Sequence, residues 1–234
     1  MKRRSLVIAL ATFCLGTAPL VAQGRLVSAY ARVDLTSIGG ASVAIDYTVM
    51  IEGPRARVPL EGLVFGGARF TEIVAHAAWG ELSVSLRVDD DGRVIATVGI
   101  PRDRFAAGPF SFTLSYELDG TEEWNGMLTL YEVPILAVAW PSAEAVPETF
   151  TVEATVGEGQ TVYESFPSGM RAIDPDGGQQ RYRLALPVMP ALVSLRTSRG
   201  SPPLGTLPRA LDLFVLVLLA GCGVLAWRQL AIRR

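Results

Sequence analysis

From Arg25 to Leu195 the apolar residues return at every second position, and that period constrains the fold more than any other feature of the chain. Val43, Ile45, Tyr47, Val49 and Ile51 alternate with Ala44, Asp46, Thr48 and Met50. Successive side chains of an extended strand point to opposite faces, so this spacing buries one face of a sheet and leaves the other wet. A helix would need a period of about 3.6. The pattern recurs in Val27, Ala29, Ala31, Val33 and Leu35, and in Phe110, Phe112, Leu114, Tyr116 and Leu118. Leu82, Val84, Leu86 and Val88 lead through Asp89, Asp90, Asp91 and Gly92 to Val94, Ala96 and Val98, which reads as a hairpin. Weaker strands are expected over 58–65 and 70–75. Further ones fall at 150–156, 161–166, 180–186 and 191–195. Residues 127–140 are more continuously apolar, the pattern of a strand covered on both faces, with Pro134 marking an edge, a bulge or a break. Turns fall at Gly39 and Gly40, at Gly66 and Gly67, and at Asp119 and Gly120. No amphipathic helix interrupts them. The expected class is all-β, an antiparallel β-sandwich that is immunoglobulin-like in broad architecture.

Two organisations of that body are open. One is a single large sandwich. The other is a main β-sandwich over 24–140 with a smaller β unit over 141–198, and the linker-like composition of 141–147, bounded by Pro141 and Pro147, favours it.

The two ends have a different character. Lys2, Arg3 and Arg4, an apolar stretch over 6–21, and Ala22 before Gln23 and Gly24 form a secretory signal pattern, so 1–23 is expected to be a signal peptide or a retained N-terminal span. Cys14 is a poor lipid-attachment site because Phe13 stands where a small residue is wanted. At the other end, 199–209 is a stiff proline-rich linker containing Pro202, Pro203 and Pro208. Residues 213–227 are fifteen in a row without a charge. At 1.5 Å per residue they cover roughly 22 Å, and their flanks extend this to about the 30 Å of a bilayer core. Residues 210–228 are therefore expected to form one transmembrane helix, and 229–234 a cytoplasmic tail. Asp212 would sit at the outer interface, with Trp227 and Arg228 at the inner one. Ala220, Gly223 and Ala226 recur every three residues and offer a stripe of small side chains for helix packing. This places the chain in a bacterial inner membrane, single-pass, with its bulk periplasmic and its C-terminus cytoplasmic.

Charge and cysteine content exclude several functions. Residues 24–207 hold fourteen Arg and twenty-two Asp plus Glu, a balance of 14 − 22 = −8, the wrong sign for nucleic acid. Cys14 and Cys222 both lie in the end segments, so the body has no disulfide and no thiolate metal site. His76 is the only histidine, which rules out a multi-histidine metal centre. A serine triad would have to use His76 as its base, and Ser168 lies in a turn without nucleophile-elbow spacing. Asp89, Asp90 and Asp91 lack the alternate spacing of a calcium loop, and Asp174 and Asp176 likewise read first as turn residues. Glu122 and Glu123 beside Trp124 hint at sugar chemistry, but adjacent strand residues face opposite ways and cannot flank one bond. Neither a catalytic set, a metal site nor a cofactor site is expected, and a small-molecule ligand is not favoured. Trp79, Trp124 and Trp140 are candidates for core or protein-interface anchors.

In layout, the anchor, the proline-rich approach, the small-residue stripe and the short tail resemble single-span auxiliary subunits of bacterial bioenergetic complexes, reaction-centre and antenna or respiratory. That resemblance implies a non-enzymatic accessory subunit whose periplasmic β domain docks on and stabilises a larger integral membrane complex, with membrane proteins and lipid as partners and a photosynthetic complex among the candidates. The alternatives are a ligand-binding or sensing ectodomain for a sugar, a peptide or an envelope component, and a hydrolase.

Overall fold

The computed structural model describes residues 24–35, 39–52, 57–65, 67–104, 106–124, 128–144, 146–176, 179–199 and 215. The signal segment, the proline-rich linker beyond Arg199, the expected transmembrane helix apart from Val215, with Ala220, Gly223 and Ala226, and the interface residues Asp212, Trp227 and Arg228 lie outside them. No helix among the described residues is long and apolar enough to cross a membrane.

The described chain is nearly all β. Its strands are β1 (Gly24–Leu35), β2 (Gly40–Ile51), β3 (Arg57–Leu63), β4 (Arg69–Ala77), β5 (Gly80–Val88), β6 (Arg93–Gly99), β7 (Gly108–Asp119) and β8 (Glu122–Trp124). After these come β9 (Thr129–Pro134), β10 (Ala137–Val138), β11 (Phe150–Val156), β12 (Gln160–Phe166), β13 (Arg171–Asp176), β14 (Gln179–Leu186) and β15 (Leu192–Arg199). Two sheets form, one ordered β10-β3-β6-β5-β4-β7-β2-β1-β11-β14-β13 and the other β12-β15-β9-β8.

The long sheet does not stay in one layer. β5 pairs with β4 over only three positions, from Ala75 opposite Leu82 to Ala77 opposite Gly80, and gives the rest of its length, Ser83 to Val88, to β6. Beyond that handover β6, β3 and β10 return across the middle of the sheet. The hydroxyl of Tyr47 in β2 donates to the carbonyl of Leu136, and that of Tyr116 in β7 donates to the carbonyl of Pro134 at 2.7 Å. Residues 134–136 therefore pass over the inner face of β2 and β7 before the chain pairs with β3 through β10. One layer is β4-β7-β2-β1-β11-β14-β13. The other is made of β5-β6-β3-β10 beside β8-β9-β15-β12.

Alternation fills the space between them. Val43, Ile45, Tyr47, Val49, Leu114, Tyr116, Val152 and Ala154 face in from the first layer, with Val58, Leu60, Val94, Val98, Val133, Val193 and Leu195 from the second, each at most 1% exposed. A fully buried Val or Leu contributes about 1.5–3 kcal/mol relative to exposure, so this interior outweighs every surface pair.

Three expectations change. The sandwich is mixed: β1 and β11 run parallel, with Ala29 opposite Phe150 and Leu35 opposite Val156. The apolar stretch over 127–140 divides into β9 and β10, because Pro134 has no N–H to extend a ladder and the chain bends there. The expected linker is stitched to the main sheet. The Leu26 N–H donates to the Pro141 carbonyl at 2.9 Å, and the Ala143 N–H donates to the Leu26 carbonyl at 2.7 Å. Strands from both sides of it share both sheets, through β1 with β11 and β9 with β15.

Candidate functional site

Because β1, β2, β7, β11 and β14 turn their apolar residues inward, every alternate residue lies on one outer face. Register then decides which of these polar side chains meet. Arg32 stands opposite Glu153, Glu153 opposite Arg183, and Arg183 opposite Arg171. One step along, Tyr30 faces Asp46, Asp46 faces Thr113, Thr113 faces His76, and His76 faces Glu81.

Glu153 is the centre of this face. It is 4% exposed although it points away from the core, because the side chains of its neighbours cover it. Arg181 donates to its Oε2 at 2.7 Å, and Arg183 donates to Oε1 from Nε at 2.6 Å and also from its terminal nitrogen. Burial by itself would raise the pKa of this carboxyl. Hydrogen bonds from Tyr30, Arg183 and Arg181 outweigh burial and hold it down at about 2. The Tyr30 phenol moves the other way, raised by burial first and then by the Glu153 carboxylate beside it. Next to this group Arg32 pairs with Asp46 at 3.0 Å, and the Thr113 hydroxyl donates to the other oxygen of Asp46 at 2.6 Å.

A second feature lies on the other layer. Glu164, Ser165 and Phe166 of β12 and Ser194 and Arg196 of β15 line a shallow groove. Glu164 and Arg196 pair across it at 2.9 Å, while Phe166 is 61% exposed.

The residues singled out from sequence do not converge. His76 sits in β4, whereas Ser168 lies in the turn between β12 and β13. Six strand spacings of about 4.8 Å separate β4 from β13, so the two cannot share a bond-breaking site. Glu122 accepts from the Gly39 N–H at 2.9 Å and so closes a turn. At the β5–β6 turn the Arg93 N–H donates to Asp91 at 3.2 Å and Arg87 pairs with Asp89 at 2.9 Å. Trp79 is 38% exposed in the turn between β4 and β5. Trp140 is partly buried against the core, its ring lying where a side chain on Gly24 would go. The side chains of Trp124, Asp174 and Asp176 are outside the described set. Among the described residues no three His, Cys, Asp or Glu side chains gather to hold a metal ion. Sequence reasoning missed Glu153, Arg181 and Arg183 because each looks like an ordinary outward residue of its strand. Only the pairing of segments about thirty residues apart makes them one group.

No family model and no curated protein sequence matches the chain. Among solved structures it is similar to native yeast LTA4 hydrolase, with a TM-score of 0.50 and 12% identity, over 85% of this chain and 34% of that one. It is also similar to an M1 zinc metallopeptidase from Deinococcus radiodurans, with a TM-score of 0.43 and 17% identity, over 75% of this chain and 42% of that one. The chain thus spans between a third and a half of the length of these structures. The yeast match carries the fold and nothing more, and the lower score of the second adds no argument.

This corrects the reading drawn from layout. A β body taken for a non-enzymatic accessory subunit of a membrane complex has the fold of part of a hydrolase. The assignments "not an enzyme", structural subunit, membrane complex and photosynthesis are withdrawn with it. Layout misled because an anchor and a strand-rich body report where a chain sits and how it is built, and carry no chemistry.

Proposed function

We propose that this chain is the β module of a hydrolase. The observation that carries the reading is the yeast match: 85% of this chain superposes on 34% of a hydrolase, so almost the whole β body corresponds to one portion of a larger enzyme. The described residues bring together no nucleophile with a base. In this proposal the bond-breaking groups come from outside them, in the rest of the chain or in a second polypeptide, and the two-layered body holds substrate or catalytic unit in position. The body is rigid enough for that work, with a continuous apolar interior and a buried Glu153 network that locks β1, β11 and β14 together.

The same proposal includes its place. The fifteen uncharged residues over 213–227 and the basic tail support a helix that crosses the inner membrane and leaves the β body on the outside. Alkaline carbonate washing of membranes is expected to leave the chain in the pellet, and its release into the wash would remove this part.

The test of the function is an assay of the full chain, isolated from its own cells in mild detergent with whatever accompanies it, against amino-acid p-nitroanilides and p-nitrophenyl esters. Hydrolysis that comigrates with the chain on gel filtration is the expected result. Fractions rich in the chain and devoid of hydrolysis would overturn the reading.

A further inference from the structure

No further inference is drawn: the strongest candidate, the shallow groove between β12 and β15 lined by Glu164, Ser165, Phe166, Ser194 and Arg196, has its two charges paired with each other beside the exposed Phe166 ring, and nothing in the structure shows what covers it.

Discussion

Glu153 shows how far one side chain's surroundings can move its chemistry. Its carboxyl is held at about 2, below the ordinary 4.5, so the folded state binds its proton more weakly than the unfolded chain does. The stability it supplies is complete above about pH 4.5 and drains away as pH falls towards 2. Its size is about 3 kcal/mol at most, since the half-exposed arginines are partly screened by water. Urea melts from pH 6 to pH 2.5 are expected to show this decline in the native protein, and a flatter profile from a lower starting point in Glu153→Gln. Tyr47 and Tyr116 present the opposite sign. Burial raises both phenols, so they stay protonated in the fold where the unfolded chain ionises, and stability falls as pH climbs past 10. Each hydroxyl also satisfies a carbonyl on the 134–136 crossing. Tyr116→Phe is expected to cost about 1–3 kcal/mol in a thermal or urea melt, because the Pro134 carbonyl is left buried without a donor.

Among the elements, the β5–β6 hairpin was readable in advance, since Asp89 to Gly92 separates two runs of strict alternation. Gly92 has φ of +79°, and a side chain there would meet the Val64 carbonyl oxygen at 2.6 Å. That carbonyl's residue also donates its N–H to Gly92 at 2.8 Å, so the turn is clamped from both sides. Gly92→Ala is expected to lower the melting free energy by about 1–3 kcal/mol, from the left-handed backbone and the forced shift together. β2 and β7 were equally legible because one face of each is continuously buried. β10 was not, since two residues carry no period, and its pairing with β3 depends on where the chain emerges from beneath Tyr47. β8 and β13 are short edges with little apolar content, and they stay hidden for the same reason.

Across the whole molecule, strands from both sides of 141–147 complete each sheet. A fragment of residues 24–140 lacks β11 for β1 and β15 for β9, leaving two long ladders open and one wall of the core unfilled. It is expected to show no near-ultraviolet circular dichroism and no cooperative melt. A folded fragment would restore the two-unit division. By itself the sequence determined that the body is built of strands, which face of each long strand is buried, that residues 24–207 hold no cysteine, and that they carry a net negative charge, because these follow from side-chain type and a period of two. Tertiary structure alone decided that β1 runs parallel to β11, that the long sheet folds over the 134–136 crossing, and that Glu153 meets Arg181 and Arg183. Strand register is a choice among partners far apart in the chain, settled by how the buried faces pack, and no local pattern records it.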